Sequence, residues 1–166
     1  VLVEQRALAD SLVWLAATSA AGREALMRWA DGNPEHAGHV VRVAAFALRN
    51  DASLPAPGHW PQMRARVADS SDPAVRADAE QLAAVFGDGA VLERMRHTLA
   101  DAGRPAAERK AAFALLRRTG DPAALSVFAG LLDDHDFRSA VIPLLARSND
   151  PATAEALLQR LAPFSE

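Results

Sequence analysis

Apolar side chains return along this chain at intervals of three and four residues. Val75, Ala79, Leu82, Ala83 and Phe86 fall on one stripe of a helix, as do Leu125, Phe128, Ala129 and Leu132. Ala154, Leu157, Leu158 and Leu161 repeat the pattern near the end of the chain. Between the stripes lie helix starts and stops. Asn33-Pro34, Asp72-Pro73, Asp121-Pro122 and Asp150-Pro151 each set a capping acceptor before a proline, which suits the first helical position. Gly87, Gly120 and Asn149 stand where left-handed C-caps are expected. Together these signals predict ten helices, over 2–18, 22–31, 34–50, 60–69, 72–86, 89–101, 105–118, 121–132, 135–147 and 150–162. Asp51 to His59 holds Pro55, Pro57 and Gly58 and is read as the longest loop. Pro143 falls inside a predicted helix, where it frees the carbonyl of Ser139 and should bend the axis.

A longer period overlies the helical one. Arg76, Arg109 and Arg138 are each followed three residues later by Ala or Val, then by Leu at six and an apolar residue at seven. Looser copies centre on Arg42 and Arg6, so the arginines are spaced by 36, 34, 33 and 29 residues. A repeat of this length made of helical signals predicts stacked helical pairs: an all-α superhelix, or solenoid. Each apolar stripe is too narrow for a core of its own, and stacking is what buries it. The run Asp72-Pro73-Ala74-Val75-Arg76-Ala77-Asp78-Ala79 resembles the start of the second helix of a HEAT-like repeat. So do Glu108-Arg109-Lys110-Ala111-Ala112 and Thr119-Gly120-Asp121-Pro122-Ala123. The resemblance covers about 60–162 well and 1–50 loosely. It implies about five HEAT-like pairs, with 1–166 as a single repeat domain. It also implies an Asp/Arg ladder between layers, with Arg42, Arg76, Arg109 and Arg138 as structural arginines near Asp69, Asp101 and Asp133.

Composition agrees with helices. Half of the residues are apolar, aromatics are 5% and Tyr is absent. Ala and Leu favour helix, whereas strands draw on β-branched and aromatic residues. The net charge of −3 argues against a nucleic-acid partner, which requires a basic face. No segment approaches the ~20 apolar residues of a membrane span. The chain contains no cysteine, so it can form neither a disulfide nor a thiolate metal site. It opens on Val1, as expected of a piece of a longer protein. The segments Leu131-Leu132-Asp133-Asp134 and Asn149-Asp150-Pro151-Ala152-Thr153 are similar to helical repeats of large modular proteins of planctomycete- and verrucomicrobia-like bacteria. In those proteins a sugar-dehydrogenase-like propeller and a c-type haem domain flank the repeats. That resemblance implies an exported parent protein. No Cys-x-x-Cys-His motif is present to carry haem chemistry onto this chain.

Candidate chemistry is sparse. His36 and His39 share a helical face with Glu35 adjacent, but a metal site needs further ligands. Glu93/His97 and Asp134/Arg138 are ordinary pairs spaced by four residues. Asp133, Asp134 and Asp136 around His135 read as helix capping. Trp14, Trp29 and Trp60 fall among apolar residues and are expected in the core. No catalytic, cofactor-binding or metal-binding residue is assigned. Counting from each repeat arginine, positions +1, +5 and +8 should line a concave groove. These are Val43, Ala47, Asn50; Ala77, Gln81, Ala84; Lys110, Ala114, Arg117; and Ser139, Pro143, Ala146. Of these, Gln81, Lys110 and Arg117 can reach a partner, and the two cations suit an acidic peptide or a neighbouring domain of the parent chain. The expected function is a non-catalytic protein-interaction or scaffold module. The alternative is a helical-repeat enzyme acting on nucleic acid, of the alkylation-repair glycosylase type, which would need a basic groove with a lone carboxylate among aromatics.

Overall fold

Helix starts in this chain are made by short acceptors. Ser19 Oγ accepts from the N–H of Gly22 at 3.0 Å, and Asp72 Oδ1 from that of Ala74 at 2.8 Å. Asp88, Asp121 and Asp134 each turn one carboxylate oxygen onto an N–H two or three residues ahead. The caps at Ser19, Asp72 and Asp88 satisfy backbone donors that a helix leaves unpaired, each worth about 1 kcal/mol, while Asp121 and Asp134 brace the turns that lead into the helices after them. Gly120 closes a helix at φ 66°, and Gly87 lies at φ 74°. Left-handed geometry carries no Cβ penalty at glycine. Asn149 does not share it, since every described residue with positive φ is a glycine.

The computed structural model describes residues 2–149 and 151–161, without the side chains of 2–6, 152, 156 and 159–161. Asp150 and the side chain of Arg6 therefore lie outside the described residues. The order is α1 (Leu2–Ala17), α2 (Ala20–Gly32), α3 (Ala37–Ala47), α4 (Trp60–Ala68), α5 (Pro73–Val85), α6 (Gly89–Ala100), α7 (Ala106–Thr119), α8 (Ala124–Gly130), α9 (Arg138–Ala146) and α10 (Pro151–Leu161). Short 3-10 turns at Pro34–His36 and Leu131–Asp133 enter α3 and extend α8. The molecule is all-α, with no strand among the described residues. Pro143 sits inside α9 as expected. The long loop is tied down at two points: Leu54 N–H donates to the Val85 carbonyl at 2.8 Å, and Gly58 N–H donates to Glu24 Oε2 at 2.6 Å.

The chain divides into two compact units, 1–92 and 93–166. In the first, α1 packs on α2 and α3, α3 on α5, and α2 on α4. Its core holds Met27, Val40, Val41, Leu48, Met63, Leu82 and Val85. Trp60 meets Phe86 edge-on at 5.1 Å. The α1–α2 turn is tight enough that a Cβ on Gly22 would lie 2.2 Å from the Ala16 carbonyl oxygen. In the second unit α8, α9 and α10 pack on one another, and Leu116, Val141 and Leu145 are buried. Phe113 contacts Phe128 at 5.4 Å and Phe137 at 5.5 Å. Burying one such ring contributes ~1.5–3 kcal/mol, and each aromatic pair adds ~0.5–1.5 kcal/mol.

Candidate functional site

The repeat arginines act on the helix ends behind them. Arg138 Nε donates to the Leu132 carbonyl at 2.7 Å, and Arg109 Nε to that of Leu99 at 3.0 Å. Arg76 donates to the carbonyl of Ser70. The sequence reading missed a fourth member, Arg23, which is buried and donates to the Ala17 carbonyl at 3.1 Å. All four make the same backbone bond, their N–H donating to the carbonyl of Ser19, Asp72, Pro105 or Asp134, four residues earlier. An arginine in that first turn can swing back and satisfy a carbonyl orphaned at the preceding helix end. Ser19 followed by Arg23 was the available signal. Arg42 departs from the set. It lies in mid-helix, its side chain is 57% exposed, and it faces Asp72 at 3.7 Å.

The carboxylates of the ladder also differ from expectation. Asp101 accepts from the N–H of Gly103 and pairs with Arg104, both within its own turn. Four aspartates at helix starts or in the turns before them meet arginines from earlier in the chain. Asp134 Oδ1 accepts from the Asp136 N–H, while its Oδ2 accepts from Arg109 at 2.7 Å. Asp88 caps α6 and accepts from Arg64; Asp121 accepts from the Ala123 N–H and from Arg96. Asp72 caps α5 and faces Arg42. One carboxylate thus fixes a helix start, at Asp72 and Asp88, or the turn before one, at Asp121 and Asp134, and joins it to an arginine 24 to 30 residues earlier in the chain. The Arg109 bond, with that from Asp136, holds the Asp134 carboxyl below the usual range, while burial pulls the other way.

The three groove residues read from the sequence have separate surroundings. Gln81 donates through Nε2 to the Ala45 carbonyl at 2.9 Å, fastening α5 to α3. Lys110 is 3.6 Å from Asp136 and exposed. Arg117 is exposed with its guanidinium 5.9 Å from the Phe113 ring. Gln81 belongs to the first unit, and Lys110 and Arg117 to the second. Ala84, assigned to the groove lining, is instead fully buried. His36 and His39 diverge, one stacking on Trp29 at 5.3 Å and the other 3.0 Å from Asp10. No group of three or more candidate metal ligands occurs among the described residues. Arg138 turns its side chain to Leu132 rather than to Asp134, which receives only its backbone N–H.

One concavity was not read from the sequence. A groove of about 810 Å³ runs over α1, α3 and the start of α5, lined by Asp10, Trp14, His39, Arg42, Phe46 and Asp72 among others. A recess of about 310 Å³ shares Arg42 and Phe46 with it and adds Arg49, Asp78 and Gln81. Trp60 is buried as expected, but Trp14 is 43% exposed, Trp29 49% and Phe46 60%. Of these, Trp14 and Phe46 line the groove. Arg49 lies 4.0 Å over the Phe46 ring and donates to the Phe46 carbonyl. Burial pushes the Asp78 carboxyl above its usual range; Arg42 opposes the shift and the Asp72 charge adds to it. The surface therefore offers two half-open aromatic rings beside charged groups of both signs.

No protein-family model, no curated protein and no solved structure matches the chain.

Proposed function

We propose that this chain is a non-catalytic protein-interaction module, built as a right-handed solenoid of HEAT-like helical pairs within a larger protein. The repeat reading is supported by helices that pack on the second helix along, α1 on α3 on α5 and α2 on α4, within the first unit. The aspartate that stands before a helix and meets an arginine supports it too, because the same device recurs from Asp72 to Asp134. The observation that carries the function is the groove over α1, α3 and α5. Half-exposed Trp14 and Phe46 there suit side-chain recognition along an extended or helical segment, since rigid aromatic anchors dominate such contacts. The exposed pair Lys110 and Arg117 offers an acidic segment a lesser site, with Lys110 already facing Asp136.

Selection of random displayed peptides on the folded chain tests this reading. Enriched peptides should lose binding to Phe46→Glu and Trp14→Ala variants that keep the parent helix content and urea midpoint. Enrichment insensitive to both variants would refute the groove as the site. A gel shift with duplex DNA at low salt addresses the rival reading, for which salt-sensitive binding would be decisive.

A further inference from the structure

Helix α1 is apolar on two sides. Ala17 is buried and Val13 half-buried in a helix that packs on α2 and α3. Leu8, Leu12 and Leu15 are instead 63%, 59% and 62% exposed, and they fall on one stripe, spaced by four and three residues. That spacing is the seam of a two-helix coiled coil, where leucines of one helix interlock with those of another. Repeat register says the same of Leu12. It stands six residues after Arg6, as Leu48 does after Arg42 and Leu82 after Arg76, and both of those leucines are buried. Leu12 thus holds a position that the fold packs elsewhere.

A single exposed leucine needs no explanation, whereas a continuous stripe marks a contact surface. Among the described residues Trp29, Phe46, Ile142 and Leu158 are exposed as well, but they stand on four different helices and build no stripe. The described surface that matches the α1 seam is therefore the same seam on a second copy. A surface that is its own complement makes an isologous contact about a twofold axis, which closes at two copies. The borders of the seam permit it. Ala9, Ser11, Ala16 and Thr18 flank the leucines, and all are small and uncharged, so two copies can approach closely without like charges meeting. We infer that the chain pairs with a second copy of itself through the Leu8/Leu12/Leu15 stripe of α1. Two turns of seam are less than a standard interface supplies, so the dimer is weak and forms as concentration rises. The contact is separate from the groove of the interaction-module reading and uses no residue of α3 or α5.

Sedimentation equilibrium of the full chain, over concentrations from about 1 µM to about 1 mM, reads this directly. Monomer should prevail at the low end and dimer at the high end, with no larger species. Leu12→Glu and, separately, Leu8→Gln/Leu12→Gln should each weaken the dimer by about tenfold or more, since a leucine on each copy loses its burial. Both positions are exposed in the single chain, and Glu and Gln favour helix, so helix content and the urea midpoint should hold. Phe46→Glu should leave the dimer unchanged, which separates this contact from the groove. A chain that stayed monomeric to about 1 mM, or that assembled beyond two copies, would overturn the inference. So would a dimer indifferent to both leucine variants, or one lost on Phe46→Glu alone. Peptide selection on the groove does not depend on these outcomes, so the self-pairing can fail while the interaction-module reading stands.

Discussion

The same pairing, an aspartate before a helix with an arginine from earlier in the chain, is tight between Arg109 and Asp134 and loose between Arg42 and Asp72. In 93–166, Arg109 is nearly buried, donates to Leu99 and Asp134, and rests 4.8 Å above the Phe137 ring. In 1–92, Arg42 and Asp72 are 3.7 Å apart, with side chains 57% and 46% exposed. The difference follows from position. Arg109 stands in the first turn of α7, with a carbonyl behind it and an aromatic ring beneath it, so three contacts converge on one guanidinium. Arg42 stands mid-helix on α3, where its neighbours are the walls of a groove. One sequence motif thus supplies a fastening in the first setting and part of a groove wall in the second.

The largest effect expected from breaking this contrast is at Arg109. Arg109→Met should lower unfolding free energy by about 2–3 kcal/mol, because the Leu99 carbonyl and Asp134 both lose a charged donor. Arg42→Met should stay within about 0.5 kcal/mol, as exposed pairs contribute little. Urea unfolding followed by circular dichroism measures both.

Acid should weaken the structure through the carboxylates that are held low. Asp134 is lowered by Arg109, and Asp31 by its bond from Arg66 at 2.8 Å. A depressed folded-state pKa means stability that is present above the unfolded value, about 3.9, and lost as pH falls through the folded one. The Tm difference between the parent and Asp134→Asn should therefore be greatest near neutral pH and close as pH drops below about 4. A difference constant with pH would show that the Arg109 contact does not depend on charge.

Asp78 should give the smallest effect, with the opposite sign. Its folded-state pKa is raised, so the ionised form is disfavoured in the fold, and that penalty is relieved as pH falls through the raised value. Asp78→Asn should raise Tm slightly at neutral pH, with the gain shrinking in acid. A loss of stability at neutral pH would mean that Asp78 has a structural partner.

Much of this could be read from the residues in order. Asp72-Pro73 and Gly120 act through backbone within a few residues, so helix positions follow from local spelling. Arg76, Arg109 and Arg138 stood out because their offset from a helix start repeats. Arg23 obeys the same offset after Ser19, yet the long-period alignment placed its weight on Arg6 and Arg42 instead. Trp14 was out of reach for a different reason. Whether α1 buries or displays it depends on α3 and α5, whose facing residues lie from Gly38 to Val75. Ala84 shows the converse, since a residue counted into the groove lies fully buried in the packed structure.

Two double-mutant cycles in one chain test the contrast most directly: Arg109→Met with Asp134→Asn, and Arg42→Met with Asp72→Asn. Asn can accept the same backbone hydrogen bond as Asp at both positions, so the coupling isolates the charged contact. All three tryptophans lie in 1–92, so their fluorescence follows the unit holding the second cycle while circular dichroism follows both. The account predicts a coupling of about 1.5–3 kcal/mol for Arg109 with Asp134 and less than about 0.5 kcal/mol for Arg42 with Asp72. Equal couplings, or a larger one at Arg42, would contradict it.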